Sequence, residues 1–309
     1  MEHRKFKRRL SELVGDLTAA QARKLIDALS ERGAWAEAQQ LIDGRFRTDL
    51  KCPHCTARHI HRHGMARGLQ RYKCLSCAKT FNALTGTPLT RLRKRDRWPS
   101  FARSLAASES VRAAAVRAGI DASTSFRWRH RFLKAQKGLK DLRLTGIVEV
   151  DECFILQSRK GERRLPRKAR KRGGKAAKPG LSSEQTPILI ARDRYGDHLD
   201  AVPPDRSEES VSAVLKQALS KTDVLLCTDG DPALIAFAKK EAIEYELIIA
   251  SHGEHVHEKV LHIQTVNSYV SRLKKWIARF NGVATKYLPN YLGWRLMLEK
   301  PSVYVTPGG

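Results

Sequence analysis

The chain has 309 residues, enough for two or three domains that each bury a core of their own. With 58 Lys and Arg against 32 Asp and Glu, its formal net charge of +26 draws it to a polyanion, nucleic acid first among them. No apolar run approaches the roughly 20 residues that span a bilayer, and the start MEHRKFKRRL lacks the apolar stretch of a secretory signal, so the expectation is a cytoplasmic protein with no membrane partner.

Residues 1–49 read as a helical segment, with Ala22, Leu25, Ile26 and Leu29 at the spacing of one apolar helix face. From 50 to 85, polar turns, alternating residues and four cysteines replace that periodicity and mark a small β-rich module. Cys52/Cys55 and Cys74/Cys77 are two C-x-x-C pairs with eighteen residues between Cys55 and Cys74. This spacing reads as one Zn2+ site in a zinc ribbon, the alternative being redox pairs. Four thiolates close a tetrahedral shell and leave no position for water, so the metal is expected to be structural. The histidines of the module (His54, His59, His61 and His63) read as surface groups. Arg58, Arg62, Arg67, Arg71 and Lys73 read as a phosphate-facing or simply solvated basic face.

Residues 86–145 return to helical patterns. In SESVRAAAVRAGIDASTSFRWRHRFLK, small and apolar residues at Val111, Ala114, Ala115 and Val116 are followed by Gly119 as a turn residue. Asp121 or Ser123 then serves as an N-cap before a basic second helix. That arrangement predicts a helix-turn-helix whose Arg127, Arg129 and Arg131 meet DNA. The alternative is a helical hairpin with Trp128 in its core and the arginines in solvent.

From Gly146 the order is β-β-β-α-β-α-β-α: GIVEVDECFIL, PILIARDRYG and DHLDAVP as strands, VSAVLKQAL as a helix, then DVLLCTDGD, PALIAFAKK, YELIIA and the amphipathic TVNSYVSRLKKWIARF. The fold class is therefore α/β multidomain, with a mixed sheet and flanking helices over 146–300. Between the first two strands lies a basic loop, 157–186, whose stretch 159–178 holds eleven Lys or Arg and one Glu. It reads as a solvated insertion or as a DNA clamp through Lys168, Arg170, Lys171 and Arg172. Aromatics of the last motif, Tyr269, Trp276, Tyr291 and Trp294 among them, read as core.

Asp151 sits in the first strand and Asp229 ends the fourth, each closely following an apolar run; Glu152 and Asp231 are the alternatives. Carboxylates delivered by separate strands are what a pair of Mg2+ ions needs to flank a phosphodiester.

The residues VEVDE, LLCTDGD and HIQTVNSYVSRLKKWIARFNGVATKYLPNYLGW resemble the conserved blocks of insertion-sequence transposases of the DDE superfamily, in particular a branch with an N-terminal zinc ribbon. The resemblance covers about residues 45–300. It implies a ribonuclease-H-like fold, Mg2+ or Mn2+ as catalytic cofactor, nicking at transposon ends and strand transfer onto target DNA, with at least a homodimer on DNA. By position it makes Asp151 and Asp229 the first two acidic ligands, Asn267 the third, where Glu is usual, and Lys274 the basic residue that contacts the DNA end. Asparagine offers an oxygen to a hard cation but no charge, so a relic that binds DNA without cutting it is the competing expectation. Glu254, Glu258, His252, His255, His257 and His262 are further donors near that approach.

Overall fold

The computed structural model describes residues 18–134, 143–165, 182–248 and 260–299, with 5, 7, 8, 168, 170, 174, 176 and 177 besides. The chain forms two compact units, Met1–Ala135 and Gln136–Gly309. Among the described residues no helix is long and apolar enough to cross a membrane.

The first unit opens on α1 (Ala19–Thr48), entered through a capping box in which Thr18 and Gln21 each satisfy the other's backbone N–H. Leu29, assigned to the apolar face, is 56% exposed. The helix docks instead through its second half, where Trp35 meets Trp98 edge-on at 5.7 Å and Phe46 meets Tyr72 and Phe81. Aromatic rings bury more area than the Ala and Leu of the first stripe, and so decide which face is covered.

Three antiparallel strands follow in the order β1-β2-β3: β1 (Ile60–Ala66), β2 (Leu69–Cys74) and β3 (Thr80–Asn82). Arg67 and Gly68, both at positive φ, make the two-residue turn between β1 and β2. The Gln39 amide donates to the Gly68 carbonyl, and a Cβ at 68 would collide with that side chain.

Next come α2 (Trp98–Ala106), α3 (Val111–Ala118) and α4 (Ala122–Lys134). Ser110 caps α3, and Gly119 ends it at φ +59°, the left-handed conformation that glycine takes without a steric cost. Trp98, Phe101, Trp128 and Phe132 form the aromatic centre of the three helices, with ring centroids 5.4–6.4 Å apart. Each ring buried there contributes about 2–3 kcal/mol. Val116 differs from the sequence expectation, being 85% exposed while Ala114, Ala115 and Ala118 are buried.

In the second unit a five-stranded sheet has the order β6-β5-β4-β7-β8. Its strands are β4 (Leu144–Leu156), β5 (Gln185–Asp193), β6 (His198–Ala201), β7 (Leu219–Thr228) and β8 (Glu244–Leu247). β4, β5 and β6 run antiparallel, whereas β4, β7 and β8 are parallel, giving the mixed sheet expected. Helices α5 (Glu208–Ala218) and α6 (Pro232–Lys240) contribute Val211, Leu215, Leu234 and Phe237 to a core with Val148, Val150, Leu189 and Leu226 of the strands. After β8 come α7 (Gln264–Ala278) and α8 (Leu288–Glu299). Tyr269, Trp276, Tyr291 and Trp294 are all buried, as their place in the last motif suggested. Alternation along β4 therefore sends Val148 and Val150 to the α5/α6 core, and Glu149, Asp151 and Cys153 to the other face.

Candidate metal centres and active site

The four cysteines of the ribbon meet, with all four sulfurs within 4.8 Å of one another. Sγ of Cys52 lies 3.7 Å from that of Cys77, and Sγ of Cys55 3.6 Å from that of Cys74. A tetrahedron with sulfurs about 2.3 Å from zinc has edges of about 3.8 Å, so the donor set has the size the ion requires. The backbone N–H of Cys77 leads the groups that draw the Cys74 thiol down to about 6. Cys55, despite the N–H of Ala57, is pushed up to about 12 by burial and its three sulfur neighbours. Four thiolates this close would be held together by a cation. Cys153 and Cys227 are buried in the second unit.

In the sheet, Glu149 of β4 pairs in register with Cys227 of the parallel β7. Two residues further on, Asp151 lies within β4 and Asp229 stands one position past the end of β7, close enough for its charge to act on Asp151. Burial, followed by the charge of Asp229, pushes the Asp151 carboxyl up to about 6, while Lys274 of α7 pulls it the other way. The Glu152 N–H donates to Asp151 Oδ1 at 2.7 Å and turns the carboxylate. Glu152 and Asp231, the alternatives to this pair, are engaged elsewhere. Arg206 bridges them, donating to Glu152 Oε2 at 3.0 Å and Asp231 Oδ2 at 2.9 Å, and Asp231 also caps α6 by accepting from the Ala233 N–H.

Asn267 and Lys274 are exposed, seven residues apart and hence on one face of α7. Lys274 also lines a cleft of about 820 Å3 with Phe154, Leu156, Lys160, Arg170 and Gly282. Among the described residues, the four ribbon cysteines are the one group of three or more His, Cys, Asp or Glu close enough to share an ion. Glu254, Glu258, His252, His255 and His257 lie outside the described residues. His262 turns to Glu149, its Nδ1 3.2 Å from Oε1, rather than to Asp151.

The basic side chains assigned to DNA divide. Arg127 is exposed. Arg129 is not available: it is 1% exposed and donates to the Glu109 carbonyl at 2.6 Å, because its position on α4 faces the helical core. Arg131 spends its guanidinium on the carbonyls of Pro88 and Thr90. Lys168 is exposed, whereas Arg170 closes the base of the basic loop, donating to the Gln157 carbonyl at 2.7 Å and pairing with Glu184 at 2.7 Å. Lys171 and Arg172 lie outside the described residues.

Sequence reading missed two buried carboxylates that hold α7 to the sheet. Glu149, 1% exposed, accepts from the Val266 N–H at 3.0 Å and pairs with Arg194. Asp200, completely buried, pairs with Arg192 at 2.7 Å and accepts the Tyr269 hydroxyl, and the Arg192 guanidinium lies 3.8 Å over the Tyr269 ring. Their partners lie far off in sequence, and the one signal was a charged residue inside an otherwise strand-like run.

Residues 143–295, which hold this sheet and both carboxylates, match the family described as ISXO2-like transposase domain. The chain belongs to the insertion-sequence transposases of the DDE superfamily. A relative from Halobacterium salinarum, described as an uncharacterized protein in transposable element ISH50, is 28% identical over 283 residues, covering 91% of this chain and 94% of its own. Two solved structures are similar at a distance. A pre-cleavage Mos1 transpososome is 14% identical, covers 70% of this chain and 80% of its own, and has a TM-score of 0.21. The Mos1 mariner paired end complex with Mn is 15% identical, covers 92% and 89%, and has a TM-score of 0.20.

Proposed function

We propose that this transposase binds the ends of its own insertion sequence and cuts and rejoins DNA strands by metal-dependent hydrolysis and transesterification in a ribonuclease-H-like core. The observation that carries the reading is the closeness of Asp151, in β4, to Asp229, just past the end of β7, where burial and then the charge of Asp229 raise the Asp151 carboxyl. Such a pair is stabilised by a divalent cation. Asp151 and Asp229 would hold Mg2+ or Mn2+, with the Asn267 amide as a neutral oxygen donor. When bound, the metal stabilises charge on the attacking and leaving oxygens of the phosphodiester. Arg206 withdraws Glu152 and Asp231 from competition, so the cation is directed to one carboxylate pair. Lys274, on the Asp151 side of α7, contacts a phosphate of the DNA end.

In the first unit the ribbon holds Zn2+ as a structural ion. The α3-turn-α4 segment serves as a helix-turn-helix, and its exposed Arg127, rather than Arg129 or Arg131, meets DNA. Exposed Lys168 of the basic loop adds to the phosphate-binding surface. The protein works in the cytoplasm on double-stranded DNA, as a homodimer or larger assembly that pairs two ends.

The test is cleavage of a duplex bearing the element's own ends, with and without Mg2+ or Mn2+. Metal-dependent nicks at the end boundary support the enzyme. Tight end binding with no nick in either metal would leave a DNA-binding relic in its place.

A further inference from the structure

α7 carries Asn267 and Lys274, yet its own loop caps it only in part, through His262 Nδ1, which accepts the Gln264 N–H at 3.3 Å. Ile263 at the N-cap position makes no side-chain hydrogen bond, and the first turn has no acidic residue. The other partner comes from the middle of the sheet, where the Glu149 carboxylate accepts the Val266 N–H at 3.0 Å. An anion at this end of a helix also meets the positive end of its dipole. Arg194, from the turn after β5, pairs with the same carboxylate. Its remaining donors gather the chain entering the helix, reaching the Val260 carbonyl at 3.0 Å, the Thr265 hydroxyl at 3.3 Å and the His262 carbonyl at 3.5 Å.

We propose that Glu149 is a positioning residue: as a cap supplied by β4, two residues before Asp151, it sets the rotation and height of α7 so that Asn267 and Lys274 stand over the Asp151–Asp229 pair. The helix is thereby keyed to the strand that carries the reacting site as well as to its own preceding loop. The Asp200–Tyr269 bond fixes the same helix one turn later, so rotation and translation are both constrained. The catalytic part of this inference rests on the enzyme reading above; the capping part does not.

The experiment compares full-length wild type with Glu149→Gln and Glu149→Ala, each alone and with Lys274→Ala. Hydrogen exchange over 264–270 and over β7, affinity for the element's end, and single-turnover cleavage are measured. Glu149→Ala leaves the Val266 N–H without its acceptor in a buried place, so the isosteric Glu149→Gln, which keeps an acceptor for Val266, guards against simple unfolding. Capping predicts faster exchange at the start of α7 with β7 unchanged, more in Ala than in Gln. Positioning predicts a cleavage loss of about a hundredfold in Glu149→Ala at unchanged end affinity. Lys274→Ala should then cost much less in that background than it does in the wild type, because the lysine is already out of place. Unchanged exchange at α7, or losses from 149 and 274 that simply multiply, would overturn the proposal. A wild type that never cleaves would defeat the enzyme reading alone, because exchange still decides the cap.

Discussion

Asp151 and Glu152 are neighbours in sequence but are put to different tasks, since a strand sends successive side chains to opposite faces. Glu152 is neutralised by Arg206, while Asp151 faces Asp229 with its carboxyl raised to about 6. The raised value fixes the sign of a pH effect. Between the ordinary carboxylate range near 4 and about 6, the folded state holds a proton that the unfolded state has released, so stability without added Mg2+ falls as pH rises through this window and levels off above it. Asp151→Asn should flatten that slope in thermal unfolding, and a slope that persists unchanged would place the proton elsewhere. On α4 the comparison is between Arg127 and Arg129. Arg129→Ala removes a buried charged donor and should cost about 2–3 kcal/mol of stability. Arg127→Ala should leave melting unchanged but weaken DNA binding and lower its salt slope by about one. The reverse pattern in melting and binding would contradict the burial of Arg129.

At the scale of elements, the ribbon is the part whose folding depends most on an ion. The ribbon buries Cys52, Leu69, Tyr72, Cys74 and Phe81, a core too small to stand alone. The purified chain should carry one zinc per polypeptide by elemental analysis, and Cys74→Ala should lose both the zinc and the exchange protection of β2. Retention of zinc in that variant would refute the four-cysteine site. Much at this scale was legible beforehand: C-x-x-C spacing located the ribbon, and alternation and helical periodicity gave the element order of the second unit. What escaped depended on tertiary contact. Leu29 sits on a regular stripe, but Trp35 and Phe46 had larger rings to bury. Arg129 looked like one more basic residue of an exposed helix until its neighbours placed it in the core. Glu149 reads as an alternating strand residue, and its bond to Val266 spans 117 positions, beyond any local pattern. For the candidate site, Asp151 and Asp229 were picked out because each closely follows an apolar strand-like run, whereas the role of Asn267 came only through resemblance.

For the whole molecule, a net charge of +26 divided over two units makes association with DNA strongly salt dependent and leaves ample positive charge for more than one duplex. In the proposed function, charge brings DNA to the protein and the carboxylate pair decides whether it is cut. The most direct measurement is therefore the location of Mn2+ by anomalous scattering in a complex with the element's end, for wild type and for Asp151→Asn. The account predicts a peak between Asp151 and Asp229 that disappears in the variant together with strand cleavage. A peak held by Glu152 and Asp231, or cleavage that survives the loss of Asp151, would contradict it.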